Sequence, residues 1–216
     1  MSNPWLTVSL ADYEGHMRSA EIQQLGALSD LFAELLAGFR PASVAVLGIA
    51  GGNGLEHIDP KVTKRIVGID VNPAYLDTVR QRYPDLDGLE LHHVDLAEQL
   101  LSLEPVQLVH VALVFEHAGV TRCLENAVSL TAPGGHLSVV LQLPSEIEPG
   151  VGASPFSSIQ NLKPRFSLVD PLWLCDALEE RNFRFAREER CSLPGGKAFW
   201  WGVFAQEERN AAEVLK

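Results

Sequence analysis

The sequence is poor in cysteine and in basic residues. Its 216 residues contain three cysteines and 17 Lys and Arg against 28 Asp and Glu, for a net charge of −11. A nucleic-acid surface needs clustered Lys and Arg, and so does binding to anionic membranes, so we expect neither partner. Three widely separated cysteines do not suggest a disulfide framework. They suggest reduced thiols, and we predict a cytoplasmic protein.

Long apolar runs are also missing. No apolar stretch reaches the ~20 residues that a membrane span requires. The start, Met1-Ser2-Asn3-Pro4, lacks the charged and then apolar segments of a secretory signal. A hydrophobic content of 46% is nevertheless enough for a sizeable core. The length favours a single domain with some elaboration.

Short apolar runs alternate with helical patterns along most of the chain. Buried strands are predicted over residues 43–50, 65–70, 89–94, 106–114 and 136–143. Helices are predicted over residues 73–83, 96–103 and 120–130. This alternation predicts an α/β fold with a doubly wound, mostly parallel sheet.

The two ends of the chain follow other patterns. Residues 183–191 and 197–205 predict two further strands joined as an antiparallel hairpin, after a helix at 171–181. Leucines at helical spacing over residues 20–37 predict an amphipathic helix. We therefore divide the chain into an N-terminal helical cap, residues 1–40, and a main domain, residues 41–216. Within the main domain, residues 144–171 are rich in Pro, Ser and Gly, which favours a lid or substrate loop.

A glycine-rich turn follows the first predicted strand. Glycines at 48, 51, 52 and 54 allow tight turning and close approach of a ligand to the main chain. Asp70 ends the second strand. An acid at the tip of the second strand, after a glycine turn at the tip of the first, is how doubly wound folds hold a ribose.

This combination resembles the class I S-adenosylmethionine-dependent methyltransferases, whose first motif is acid-x-Gly-x-Gly-x-Gly. Residues 48–54 read Gly-x-Ala-x-Gly-x-Gly, so Gly48 replaces the acid and Ala50 the first glycine. The segment Leu130–Leu137 is similar to the family's L-x-P-G-G-x-L turn, with one added residue. The resemblance covers roughly residues 44–205. It implies a Rossmann-like seven-stranded sheet whose last strand inserts antiparallel, with S-adenosylmethionine as the cofactor.

The resemblance also implies a set of cofactor-binding residues. These are Gly48, Ala50, Gly52, Asn53, Gly54, Asp70, Val71, Asp95, Leu96 and Tyr13. Asp70 would accept from the ribose hydroxyls, Asp95 and its neighbours would meet the adenine, and Tyr13 or Arg18 would meet the methionine carboxylate. Structural alternatives stay open: a tight turn at the glycines, a solvated strand end at Asp70 and a helix N-cap at Asp95.

The candidate catalytic residues follow the fourth strand, at the edge where such sheets bind ligands. His117 would act as a general base, and Glu116 would orient the substrate or contact the cofactor. The alternative is a surface loop whose acid caps the next helix. No metal site is expected, because His92 and His93 alternate along a strand and so point to opposite faces.

The leading hypothesis is methyl transfer from S-adenosylmethionine to a small-molecule acceptor. One alternative is a nicotinamide-dependent oxidoreductase, but no register of residues 48–57 fits the G-x-G-x-x-G fingerprint. Another is a non-catalytic cofactor-binding or regulatory domain of the same fold, for which the altered first motif leaves room. No motif identifies the acceptor or the oligomeric state.

Overall fold

A seven-stranded sheet organises the chain. The computed structural model describes residues 3–145 and 154–207. The strands are β1 (Ser43–Leu47), β2 (Arg65–Asp70), β3 (Leu89–His93), β4 (Val106–Ala112), β5 (Thr131–Gln142), β6 (Phe183–Ser192) and β7 (Ala198–Gln206). Their order is β3-β2-β1-β4-β5-β7-β6, with β7 antiparallel to both of its neighbours and the other pairs parallel. The predicted fold class, including the antiparallel insertion of the last strand, is confirmed.

Helices pack on both faces of this sheet. They are α1 (Leu10–Arg18), α2 (Gln24–Phe39), α3 (Pro73–Arg82), α4 (Phe115–Ala118), α5 (Val120–Leu130), α6 (Ser157–Gln160) and α7 (Pro171–Glu179). A 3₁₀ helix, Leu55–His57, follows the glycine turn. The start of α3 is as predicted: the Asn72 side chain accepts from the Ala74 amide, and Pro73 occupies the first turn.

Successive residues of the strands alternate between two apolar layers. Val44 and Leu108 pack in one layer with the α2 residue Leu35, whereas Leu47 and Val109 pack in the other with residues of α5 and α7. The leucine-rich face of α2 is therefore buried against the sheet and belongs to the core of the main domain.

The prediction of a helix over residues 96–103 is wrong. The chain instead forms a turn there, and Leu100 is 60% exposed. The Leu101 amide donates to the Asn126 side-chain oxygen at 2.8 Å, and the Asn126 amide group donates to the Gln99 carbonyl at 2.8 Å. A side chain from α5 thus satisfies backbone groups that a helix would have paired locally.

Some predicted strand boundaries are also wrong. β1 ends at Leu47 and β4 at Ala112, because Gly48 and Leu113 adopt positive φ angles of 70° and 56°. β5 begins at Thr131, earlier than the predicted start at residue 136. The register of its pairing with β4 shifts at the predicted Pro-Gly-Gly turn, which forms an irregularity within the strand.

Candidate functional site

A cleft of about 600 Å³, including its opening to solvent, lies at the carboxyl edge of the sheet. Its lining residues are Asn3, Trp5, Tyr13, Gly48, Ala50, Asp70, Val71, Tyr75, Val94, Asp95, Leu96, Ala112, Leu113, Val114, His117 and Ala118. These residues follow β1, β2, β3 and β4 or precede the sheet. Since β1 has β2 on one side and β4 on the other, the cleft lies at the topological switch point, where open α/β sheets bind ligands.

Asp70 is buried at the end of β2, with 7% of its surface exposed. Its two oxygens accept from the amides of Ala50 and Asn72, each at 2.9 Å. Burial raises the pKa of this carboxyl group to about 6, although the amide donors act in the opposite direction. The alternative of a solvated strand end is therefore wrong. The remaining lone pairs of this carboxylate can accept from a polar ligand.

Gly48 and Ala50 line the cleft, at the two positions where the first motif departs from the family pattern. Gly48 has φ = 70°, and a Cβ atom there would lie 2.6 Å from Cγ2 of Val114. An acid at position 48 would therefore need Val114 to move. Ala50 has φ = 46°, a left-handed conformation that is uncommon for a residue with a side chain and that the family's glycine adopts more easily.

Gly52, Asn53 and Gly54 are not among the residues that line the cleft. Asn53 and Gly54 hold the turn against α2 instead, and Gly52 packs against the ring of Tyr83. A Cβ atom on Gly54 would lie 2.8 Å from the ring of Phe32, and the Asn53 side chain donates to the Leu25 carbonyl at 2.9 Å. Of the glycine turn, the structure therefore brings its first residues to the cleft and places its last three in packing positions.

The part of the cleft after β2 and β3 is lined by Val71, Asp95 and Leu96. One Asp95 oxygen accepts from the Ala97 amide at 3.0 Å, and the other accepts from the Asn3 side-chain amide at 2.8 Å. Asp95 thus caps a turn, not the predicted helix, and also ties the N-terminal segment to the edge of the cleft.

The N-terminal segment lies across the cleft and is held by further hydrogen bonds. The Asn72 side chain donates to the Trp5 carbonyl at 2.9 Å, and the Tyr75 hydroxyl donates to the Val8 carbonyl at 2.9 Å. Trp5 and Tyr13 reach the cleft from this segment, with their rings edge to face at 5.6 Å. The sequence did not identify Trp5 as a site residue, because no periodic pattern precedes α1.

Arg18 does not line the cleft. It lies 3.5 Å from Glu14, and its side chain is 64% exposed. Glu14 is buried and pairs with Arg82, whose guanidinium also donates to the Gly51 carbonyl at 3.0 Å. The cation on the glycine turn is thus Arg82 of α3.

His117 lines the cleft from α4. Its ring lies between Trp5 and Phe166, with centroid distances of 5.0 and 5.3 Å. Burial lowers the pKa of this imidazole to about 4, so it is neutral at pH 7. Within the described part of the chain, its Nδ1 atom has no hydrogen-bond partner. A neutral imidazole can accept a hydrogen bond from an N–H or O–H group.

Glu116 is not among the cleft residues. It is 1% exposed, and its Oε1 accepts from the Gln142 amide at 2.7 Å. Its carbonyl accepts from the Ser167 amide at 2.8 Å. Burial raises the pKa of its carboxyl group to about 7. The structure therefore places Glu116 in the core, where it joins α4 to β5 and to the segment after α6.

A second cavity of about 530 Å³, including its opening, adjoins the first. It is lined by Trp5, Tyr13, His16, Met17, Gln24, Leu113, His117, Gln142, Ile159, Leu162, Phe166 and Lys197. Trp5, Tyr13, Leu113 and His117 line both spaces. Of the predicted lid at residues 144–171, the stretch 146–153 lies outside the described residues, and Ile159, Leu162 and Phe166 form one wall of this cavity.

Residues 3–145 and 154–207 contain neither a metal site nor a membrane span. No three His, Cys, Asp or Glu side chains there come together in a way that could hold a metal ion. None of the helices in these ranges has both the length and the apolar character of a membrane span.

Comparisons with known proteins agree with this geometry. Residues 46–137 match the family model described as a methyltransferase domain. No curated protein sequence matches the chain. Among solved structures, the N-methyltransferase NodS from Bradyrhizobium japonicum WM9 in complex with S-adenosyl-L-homocysteine is 16% identical, with a TM-score of 0.68 over 96% of this chain and 100% of that one.

Two further structures are similar. The DhpI–S-adenosylhomocysteine complex is 18% identical, with a TM-score of 0.64 over 96% of this chain and 97% of that one. The magnesium protoporphyrin IX methyltransferase from Synechocystis PCC 6803, with S-adenosylhomocysteine bound, is 12% identical. Its TM-score is 0.62 over 84% of this chain and 83% of that one. At these identities the likeness shows the fold.

Proposed function

We propose that this class I S-adenosylmethionine-dependent methyltransferase transfers the cofactor's methyl group to a small-molecule acceptor. The observation that carries the proposal is the cleft at the switch point of the sheet, with a buried carboxylate at the end of β2. The match of residues 46–137 to a methyltransferase domain and the sheet order both support it.

The cofactor would lie along the first cleft. Asp70 would accept from the two ribose hydroxyls with the lone pairs that the Ala50 and Asn72 amides leave open. Val71 and Leu96 would flank the adenine, with Asp95 beside them. Tyr13 would cover the methionine end. When bound, S-adenosylmethionine would supply a methyl group on a sulfonium sulfur, to which the acceptor nucleophile would bond while the thioether sulfur leaves with the electron pair of the broken carbon–sulfur bond.

His117 would help the acceptor at the junction of the two cavities. Its neutral imidazole would accept a hydrogen bond from the N–H or O–H of the acceptor and orient the lone pair toward the methyl carbon. The acceptor proton would pass to His117 and then to water. Glu116 holds α4 in place and is not proposed to contact the reactants.

A non-catalytic domain of the same fold is the competing proposal, since Gly48 and Ala50 depart from the family motif. The nicotinamide alternative has no such support, because its glycine fingerprint is missing from residues 48–57. The test is transfer from methyl-labelled S-adenosylmethionine to a small-molecule metabolite extract, alongside calorimetry with S-adenosylhomocysteine. Label in the small-molecule fraction is expected. Tight binding with no transfer would favour the non-catalytic domain.

Replacement of His117 by Asn is expected to lower the rate of transfer roughly 100-fold, the lower end of the range for a lost general base. The affinity for S-adenosylhomocysteine should change little, because His117 borders the cleft only where it meets the second cavity. His57→Asn, a substitution in the 3₁₀ helix after the glycine turn, is the matched control. An unchanged rate in a folded His117 variant would remove this residue from the mechanism.

The N-terminal segment is expected to close over bound cofactor. Asn3, Trp5 and Tyr13 already line the cleft, so a ligand there would add contacts to the segment. Hydrogen exchange of the amides of residues 10–20 should slow by about tenfold or more when S-adenosylhomocysteine is saturating. The amides of α7, which lines neither cavity, serve as the internal control. Identical exchange with and without ligand would mean that residues 3–18 only pack against the domain and do not close over the cofactor.

Cofactor binding is expected to weaken below about pH 6, where Asp70 takes up a proton. The ribose hydroxyls donate to the carboxylate, so the ligand favours the deprotonated form. Affinity should therefore be full above pH 7 and fall by up to about tenfold for each further pH unit below 6. Calorimetry with S-adenosylhomocysteine from pH 5 to pH 8 checks this. Asp70→Asn should bind weakly with a flat profile, and a wild-type profile that is equally flat would contradict the prediction.

A further inference from the structure

The second cavity lies next to the cleft that we assign to the cofactor. Trp5, Tyr13, Leu113 and His117 line both spaces. The volume of the second cavity, about 530 Å³ including its opening, lies within the range of small-molecule sites. A molecule held there would border the bound cofactor, as a methyl acceptor must.

Four aromatic rings in series line the second cavity. Tyr13 meets Trp5 edge to face, with ring centroids 5.6 Å apart, and Trp5 meets His117 in the same way at 5.0 Å. His117 in turn meets Phe166 edge to face at 5.3 Å. Edge-to-face pairing is a favoured geometry for aromatic rings, so a ring on the ligand would extend this series in the way that such pairs prefer.

Contacts between two segments outside the sheet hold the apolar wall of this cavity in place. Val8 of the N-terminal segment packs with Ile159 and Leu162 in a buried apolar cluster that is separate from the two layers of the sheet. The Ser158 hydroxyl donates to the Asp12 carboxylate at 2.5 Å and so ties α6 to α1. The wall is therefore built where the N-terminal cap meets the residues that we predicted as a substrate loop.

Polar residues also line the cavity: His16, Gln24, Gln142 and Lys197. Of these, His16, Gln142 and Lys197 already interact with other groups of the protein, so they give no reason to expect a charge on the ligand. None of the described residues that line the cavity is Asp or Glu. A cationic ligand would therefore lack a carboxylate partner among them, whereas a neutral ligand needs none.

We propose that the methyl acceptor is a neutral aromatic compound whose ring packs against Trp5 and Phe166 in the second cavity and whose hydroxyl or amino group lies at His117. Ile159 and Leu162 would enclose the rest of its body. Burial of apolar surface would supply affinity, and the edge-to-face contacts would supply the preference for a ring. This inference rests on the proposed function, because it takes the first cleft to be filled by the cofactor.

The test is calorimetry on protein saturated with S-adenosylhomocysteine, with 2-phenylethanol and 2-cyclohexylethanol as probes. The two alcohols carry the same hydroxyl group on the same linker, and the saturated ring has no less apolar surface than the aromatic one. Burial of area alone therefore gives no preference for 2-phenylethanol. We expect 2-phenylethanol to bind roughly tenfold more tightly, the effect of edge-to-face contacts with two rings.

Phe166→Leu should lower the affinity for 2-phenylethanol roughly threefold, the effect of one ring contact, and leave that for 2-cyclohexylethanol unchanged. Binding of S-adenosylhomocysteine should also be unchanged, because Phe166 lines the second cavity and not the cofactor cleft.

Two further variants serve as controls. Phe166→Tyr keeps the ring and should keep the preference. Phe185→Leu makes the same change at a ring of β6 that is 44% exposed and lines neither cavity, and it should bind both alcohols as the unmodified protein does. Thermal unfolding shows whether each variant is folded. The comparison of the two alcohols on the unmodified protein carries the test if Phe166→Leu is not.

Three failures are distinguishable. Protein that does not bind S-adenosylhomocysteine contradicts the proposed function itself. Protein that binds it but shows no preference for 2-phenylethanol, or binds neither alcohol up to its solubility limit, overturns the aromatic acceptor and leaves the proposed function standing. Binding of 2-phenylethanol that S-adenosylhomocysteine abolishes would place the ring in the cofactor cleft and would overturn the aromatic acceptor as well.

Discussion

Replacing Asp70 with Ala is expected to weaken the binding of S-adenosylhomocysteine by roughly ten- to 100-fold. Asp70 is buried at the end of β2 and would accept from the ribose hydroxyls. Hydrogen bonds to a charged group contribute about 1.5–3 kcal/mol each, and each 1.4 kcal/mol is a factor of ten in affinity. Calorimetry at pH 7.5, where the carboxyl group is ionised, measures the effect.

The same substitution also removes an acceptor from the amides of Ala50 and Asn72, so the fold must be checked separately. Asp70→Asn keeps the side-chain shape and one acceptor oxygen and should lie between wild type and Asp70→Ala. Asp87→Ala removes an exposed carboxylate and should bind as wild type does. Unchanged affinity in a folded Asp70→Ala protein would show that the ribose does not bind at β2.

Replacing Trp201 with Ala is expected to lower the free energy of unfolding by about 3–5 kcal/mol. This side chain of β7 is fully buried in the layer beneath α2, and its Nε1 donates to Ser138 Oγ at 2.9 Å. Folded domains are stable by about 5–15 kcal/mol in total, so the loss is a large share. The melting temperature should fall by roughly 6–20 °C.

Two variants separate the causes of this loss. Trp201→Phe keeps most of the buried ring but loses the donor to Ser138, and should cost about 1–2 kcal/mol. Trp173→Ala removes a tryptophan of α7 that is 48% exposed and should change stability by less than about 0.5 kcal/mol. Urea unfolding followed by circular dichroism measures all three. Equal losses in the Trp201→Ala and Trp173→Ala proteins would contradict the assignment of Trp201 to the core.

The features that the sequence predicted well depend on neighbours along the chain. β2 has its predicted bounds, Arg65–Asp70, because a run of apolar residues ends at an acid and a helix start. The cap at Asn72 and Pro73 follows from side-chain and ring geometry within one turn. The hairpin of β6 and β7 follows from two strand patterns around Pro-Gly-Gly.

The errors arise where contacts with residues distant in the chain override the structure that the local sequence pattern predicts. The turn at residues 96–103 replaces a helix because Asn126 of α5 takes over its backbone bonds. α1 was not predicted, since its apolar pattern is weak. It is held by the Glu14–Arg82 ion pair and by the bond from the Ser158 hydroxyl to Asp12 at 2.5 Å. Glu116 follows β4 as expected, yet its side chain turns into the core to meet the Gln142 amide.

By itself, the sequence determined the alternation of strands and helices, the glycine turn and the acid at the end of β2. These depend on backbone sterics and side-chain periodicity, which act over a few residues. The tertiary structure alone decided that Asn3, Trp5 and Tyr13 line the cleft and that Phe166 and Lys197 line a second cavity with His117. These residues lie far apart in the chain and carry no common motif. They come together because the sheet order places the loops after its strands, the segment ahead of β7 and the N-terminal segment at one edge.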